Sequence, residues 1–125
     1  MNFKAHKKVK RALISVYEKQ PVVELVNFLH ARGVEIVSTG GTLRFIREMD
    51  IPAVAVEDIT GYPSILDGRV KTLHPGIFAG ILARSDRQDH LNELASYSIL
   101  PFDMVVVDLY PFGETISKPG VTLAQ

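Results

Sequence analysis

Between Ala12 and Val56 the apolar residues switch repeatedly between two spacings, and that alternation limits the fold more than any other feature of the chain. Ala12-Leu13-Ile14-Ser15-Val16 is a short apolar run with β-branched members, too short for a helix. Val22, Leu25, Val26 and Leu29 then recur at i, i+3, i+4 and i+7, one stripe of a helix. Pro21 suits the first turn of that helix and Gly33 the position just past its end. A second strand follows at Val34-Glu35-Ile36-Val37, then a glycine turn, then a helix carrying Leu43, Phe45, Ile46 and Met49. Pro52 opens a third strand through Val54-Ala55-Val56. The order β-α-β-α-β implies parallel strands joined by right-handed crossovers.

The periodicity stops from Glu57 to Pro75. A stretch of that length inside a compact domain is functional or disordered, and Ile59, Tyr62, Ile65, Leu66, Val70 and Leu73 make it too apolar for disorder. The expectation is an ordered active-site loop. Ile77–Ala83 is apolar without an assignable period. Ser85-Asp86-Arg87-Gln88 has the form of a capping box opening a helix with Leu91, Leu94 and Ala95 inward. Met104-Val105-Val106-Val107 is apolar on both faces, as a central parallel strand requires. After Tyr110-Pro111-Phe112 the chain turns polar, without a recognisable final element.

Composition closes off several functions. The 125 residues amount to one domain, read as a basic tail at 1–10 and a folded unit at 11–125. Fourteen basic and fourteen acidic residues cancel, so bulk charge is no route to nucleic acid or membrane. Without cysteine there is no thiolate nucleophile, zinc-thiolate site or disulfide framework, in keeping with a reducing, cytoplasmic setting. No apolar run approaches the roughly 20 residues needed to span a bilayer, and no apolar segment follows the basic start as in a secretory signal.

Four segments carry chemistry. Ser38-Thr39-Gly40-Gly41-Thr42 joins a strand to a helix; its glycines admit a ligand close to the backbone, and hydroxyls with helix-opening amides suit a phosphate. A tight turn with Thr42 as a helix cap is the alternative. Tyr17, Glu18 and Lys19 leave the first strand at its C-terminal end, the edge where open α/β sheets bind ligands, and Lys19 is either a phosphate contact or solvated. Arg69 and Lys71 alternate in Asp67-Gly68-Arg69-Val70-Lys71-Thr72-Leu73-His74-Pro75, so an extended segment points both cations one way, towards an anionic or carbonyl-rich substrate. The alternative there is a solvated loop with His74 held against Pro75. Asp108-Leu109-Tyr110 closes the last strand at the same edge, offering a carboxylate and a phenol. No metal-ligand spacing, Ser-His-Asp arrangement or nucleophile elbow is present.

LISVYEK, VSTGGT, DITGYPSILDGRVKTLHPGIFAGILAR and VVVDLYPF, in this order, closely resemble the IMP cyclohydrolase domain of the bifunctional AICAR transformylase/IMP cyclohydrolase family of purine biosynthesis. The likeness runs from about Arg11 to the end. The glycine turn is shared with methylglyoxal synthase and the regulatory domain of carbamoyl phosphate synthetase, whereas GRVKTLHP and LYPF are far more specific to the cyclohydrolase. The resemblance implies a doubly wound, mostly parallel, three-layer α/β/α sheet of the methylglyoxal-synthase type. It also implies no cofactor or metal, a homodimer, and a transformylase domain in the full-length family protein.

The same resemblance places nucleotide contacts at Tyr17, Glu18, Lys19, Ser38, Thr39, Gly40, Gly41, Thr42, Arg69, Thr72, Asp108 and Leu109, with Lys71 and Tyr110 catalytic. Tyr17 stands where serine is usual and Asp108 where asparagine is usual; an ionised carboxylate accepts but does not donate, so the contact at Asp108 changes in kind. The family continues into Ile-Asp-Ile-Gly-Gly and Arg-Ala-Ala-Ala-Lys-Asn segments that carry a catalytic aspartate and lysine, so the chain reads as the front part of the domain, weak or inactive alone. The expected reaction is closure of FAICAR to IMP with loss of water. A nucleotide-phosphate-binding module without turnover, or a methylglyoxal-synthase-like lyase, are the rival readings, and GRVKTLHP argues against the lyase.

Overall fold

The computed structural model describes residues 8–66 and 71–108. Strands β1 (Arg11–Ser15), β2 (Glu35–Ser38), β3 (Val54–Ala55) and β4 (Met104–Val107) form one sheet in the order β3-β2-β1-β4, every neighbouring pair parallel. Between them run α1 (Val23–Ala31), preceded by a single 3-10 turn at Gln20–Val22, then α2 (Gly40–Glu48), α3 (Val56–Thr60), α4 (Pro75–Leu82) and α5 (Gln88–Ser96).

The layers follow from the pleat. Successive residues of β1 face opposite sides: Ala12 and Ile14 pack with Val26 and Leu29 of α1 and Ile46 of α2, whereas Leu13 packs with Val56 of α3, Ile77 of α4 and Phe102. Helices thus cover both faces, which makes the three-layer α/β/α arrangement. Ala12, Ile14, Val26, Ile36, Val37, Ile46, Val56 and Ile77 are sealed from solvent.

Two aspartates bracket β4 and stitch it to β1. Before the strand, Asp103 Oδ2 accepts the amides of Lys10 at 2.8 Å and Arg11 at 3.0 Å. After it, the Asp108 carboxylate accepts the amides of Tyr17 at 2.7 Å and Glu18 at 2.8 Å. The buried Arg11 reinforces the first end, donating to Glu35 Oε1 at 3.2 Å and to the Leu100 carbonyl at 2.9 Å, with its guanidinium 4.4 Å from the Phe102 ring centre.

Several expectations need correction. The stretch from Glu57 is not structureless: Val56, expected to close β3, opens α3 instead, and Gly61 ends that helix in the left-handed region at φ +67°. The apolar Ile77–Ala83 segment is mostly helix α4, begun by Pro75 and capped by His74, whose Nδ1 accepts the Gly76 amide at 2.9 Å. α5 starts at Gln88 without a side-chain cap, because Ser85 is taken up in a turn closed by the Arg87 amide on the Arg84 carbonyl. Its inner face is Leu94 with the half-buried Leu91; Ala95 is exposed. β4 is not central among the described strands but lies at the sheet's edge, leaving Val105 and Val107 exposed.

Candidate functional site

Because all four strands run the same way, β1, β2 and β4 deliver their C-terminal ends to one edge. There the β1–α1 connection, the β2–α2 turn and the end of β4 enclose a cavity of about 300 Å³. Val16, Tyr17 and Lys19 line it from the first, Thr39, Gly41 and Thr42 from the second, and Asp108 from the third; Lys71 reaches it from the segment before α4. A larger cavity of about 820 Å³ lies by α4, α5 and residues 97–100 but shares no lining residue with the first. Among its lining residues Arg11 is engaged as described, and His74 and His90 each accept a backbone amide at Nδ1. The smaller cavity, at the sheet edge and lined by the ammonium groups of Lys19 and Lys71, is the candidate site.

The floor of this cavity is the N-terminus of α2. Thr39 is extended (φ −151°, ψ 161°), Gly40 turns into the left-handed region at φ +57°, and the helix begins. A non-glycine residue would be strained at Gly40. Leu43 donates to the Thr39 carbonyl at 3.2 Å; the amides of Gly40, Gly41 and Thr42 precede it and, as the opening of a helix, have no carbonyl one turn back. Such amides together with the helix dipole favour an anion.

Two ammonium groups flank that floor. Lys71 Nζ lies 3.5 Å from where a Cβ on Gly40 would stand, and Lys19 Nζ lies 3.8 Å from the corresponding point on Gly41. Lys19 is held by the carbonyls of Val16 and Tyr17, to which its ammonium donates. Among the described residues Lys71 Nζ has no hydrogen-bond partner, so its donors stay available. It is brought to the turn from a segment remote in sequence, which the strand-and-helix pattern had no means of showing.

The hydroxyls of the turn do something other than expected. Ser38 is fully buried and donates to the Ile14 carbonyl at 2.6 Å. Thr42 donates to the Val16 carbonyl at 2.9 Å and accepts the Val16 amide at 3.1 Å, joining α2 to the end of β1. Thr39 donates to Glu57 Oε1 at 2.5 Å. Each hydroxyl proton is therefore spent inside the protein, and the anion-binding capacity rests on backbone amides and lysines. Thr42 is not a helix cap, since the cap residue is Thr39 and its side chain makes no capping bond.

Asp108 is spent as well. Its two amide bonds, from Tyr17 foremost and then Glu18, with the Lys19 charge adding to them, hold its carboxyl below the usual carboxylate range. In this chain the residue shapes the loop that carries Lys19. Glu18 enters through its backbone alone in that clamp, and Thr72, half-buried, accepts the His74 amide at its carbonyl at 2.8 Å without lining the cavity. Arg69, Leu109 and Tyr110 lie outside the described residues.

Glu57 is the residue that sequence reasoning missed. Burial pushes its carboxyl up, but the hydroxyls of Thr39 and Ser64, its own backbone and the charge of Lys71 together bring it below the usual range. No local signal marks it, since it stands 18 residues from Thr39 at the start of a helix of only five residues. Among the described residues no group of three or more His, Asp or Glu is placed to hold a metal, and no helix is long and apolar enough to cross a membrane.

A cavity lined by helix-opening residues and two lysines at the C-terminal edge of a parallel sheet thus belongs to a chain that has clear relatives. Residues 21–125 match the family described as MGS-like domain. The chain belongs to that family. This MGS-like chain is 57% identical over 118 residues to the bifunctional purine biosynthesis protein PurH of Chloroflexus aurantiacus, covering 94% of the chain and 23% of the relative. It is 55% identical over 114 residues to PurH of Caldicellulosiruptor bescii, covering 91% and 22%. The chain thus spans under a quarter of the length of these curated relatives. Among solved structures, the crystal structure of ForH superposes with a TM-score of 0.72 at 33% identity, covering 82% of this chain and 54% of that one.

Proposed function

We propose that this MGS-like chain binds the 5′-phosphate of a purine nucleotide at the N-terminus of α2 and belongs to an IMP cyclohydrolase unit that closes FAICAR to IMP. The observation that carries the reading is the pair Lys19 and Lys71, one at each glycine of the turn, in a chain whose relatives are purine biosynthesis proteins. In that reaction the carboxamide nitrogen attacks the formyl carbon of the same molecule, and the formyl oxygen leaves as water with one proton from each nitrogen. Because the attack is intramolecular, the protein's part is to hold the near-attack conformer, stabilise charge on the formyl oxygen and move protons. The amides of Gly41 and Thr42 with Lys19 hold the phosphate, Lys71 stabilises the developing oxyanion, Arg69 orients the base and Tyr110 relays protons. The unit works in the cytoplasm as a homodimer beside a transformylase domain, without metal or redox cofactor.

A second reading is nucleotide binding without turnover, which the helix-opening amides and the two lysines would support by themselves. Titration calorimetry with IMP and a cyclisation assay with FAICAR, both on this chain, separate the two. Binding with turnover supports the cyclohydrolase; binding alone supports the module. Absence of IMP binding overturns both.

A further inference from the structure

We infer that Glu57 is a positioning residue of this site: its carboxylate ties the glycine turn to Ser64 after α3 and so fixes where Thr39 and the α2 N-terminus stand beneath the two ammonium groups. The inference rests on the phosphate-cradle reading above and deepens it. A single oxygen, Oε1, takes the Thr39 hydroxyl at 2.5 Å and the Ser64 hydroxyl at 2.7 Å. Thr39 is the residue from which α2 starts, and Ser64 lies in the exposed stretch after α3. One carboxylate therefore joins two chain segments, the start of α2 and the stretch after α3. α3 itself is anchored below, where Val56 is fully buried and Ile59 packs 3.6 Å from the Cβ position of Gly76 in α4.

The arrangement has a chemical logic. An anion beside an anion site repels the ligand unless something offsets it, and here both hydroxyls and the charge of Lys71 do so. By accepting the Thr39 hydroxyl, Glu57 leaves the helix amides and the lysines to meet an incoming phosphate. Its charge also acts on Lys71, whose ammonium stands beside Gly40. Glu57 does not line the cavity, so its influence passes through Thr39 and Lys71.

The test compares Glu57→Ala, Glu57→Gln and Ser64→Ala with wild type, by IMP calorimetry and by hydrogen exchange of the Gly40, Gly41 and Thr42 amides without ligand. Ser64 is exposed and outside the cavity, so any effect there must travel through Glu57. The expected result is roughly tenfold weaker IMP binding and faster turn exchange for Glu57→Ala, the size of one lost charge-assisted bond. Ser64→Ala should shift both in the same direction by less, and Glu57→Gln, which keeps an acceptor oxygen, should recover most of the loss. Wild-type IMP affinity and wild-type turn exchange in both alanine variants would overturn the inference while leaving the cradle standing. A wild type that binds no IMP would overturn the cradle reading, and the exchange rates would then still decide whether Glu57 fixes the turn. A general fall in protection across the whole chain, with the turn no worse than the rest, would reduce Glu57 to a structural residue.

Discussion

Replacing Gly41 with alanine separates binding from folding more cleanly than any other change at this site. Unlike Gly40, Gly41 has an ordinary helical backbone, so alanine is not strained there. Its Cβ would stand 3.7 Å from Lys19 Cε, 3.8 Å from Lys19 Nζ and 3.8 Å from an Arg44 guanidinium nitrogen, all ordinary contacts. Alanine also restricts the unfolded chain, which is worth about 0.4–1 kcal/mol where the native backbone tolerates it. For a chain of this size the melting temperature should hold or rise by roughly 1–5 °C. Binding should go the other way, because the new methyl group takes the space beside the Lys19 ammonium and over the amides that a phosphate must reach. Losing one charge-assisted bond to the anion corresponds to about 1.5–3 kcal/mol, or roughly tenfold to hundredfold in affinity. Calorimetry with IMP, paired with thermal melts of the same samples, reads both quantities. Unchanged affinity at an unchanged or higher melting temperature would refute the reasoning and leave the glycine turn with a purely structural role.

Lys71→Met in a protein extended to the full domain should lower kcat in the FAICAR assay by roughly a hundredfold with little change in melting temperature, and full activity would remove Lys71 from the chemistry. Gly80→Ala should destabilise the chain by about 1–3 kcal/mol despite alanine's better helix propensity, because its Cβ would stand 2.7 Å from the Leu100 carbonyl oxygen and 3.1 Å from the Phe102 ring; chemical denaturation measures it, and a neutral result would mean that the 100–102 segment yields. The Asp108 carboxyl is held below its ordinary range, so its clamp contributes fully above that range and is lost as acid protonates it beneath it. Hydrogen exchange at Tyr17 and Glu18 should therefore quicken in Asp108→Ala at neutral pH, and in wild type only in acid, with the opposite order contradicting the clamp.

The first half of the fold was legible because its signals are local. Pro21, the Val22-Leu25-Val26-Leu29 stripe and Gly33 announce α1, and Ser38–Thr42 announces a strand-to-helix turn at a ligand-binding edge. α4 was not legible, since PGIFAGIL offers no polar face against which a period can be read. β4 reads as a central strand from composition alone, yet strand order is a property of the whole sheet. The site divides the same way. Glycines and lysines could be found by spacing, but what the hydroxyls do depends on Ile14, Val16 and Glu57, residues 18 to 26 positions away. A serine or threonine in a phosphate-binding signature looks identical whether its proton goes to a ligand or to a neighbouring carbonyl.

The two-ended stitching of β4 to β1 also has a consequence for the order in which the protein is made. β1 lies between β2 and β4, so the first strand to be synthesised is among the last to gain both neighbours. The Asp103 bonds to Lys10 and Arg11 close loops of 93 and 92 residues. Until that closure, one long side of β1 is an open ladder of hydrogen-bonding groups carrying Leu13 and Ile14, the kind of edge that invites pairing with another chain. Non-local parallel pairing of this type is slow to form. Refolding at increasing protein concentration should therefore lose yield before β4 docks, and slowing that docking by Asp103→Ala should deepen the loss.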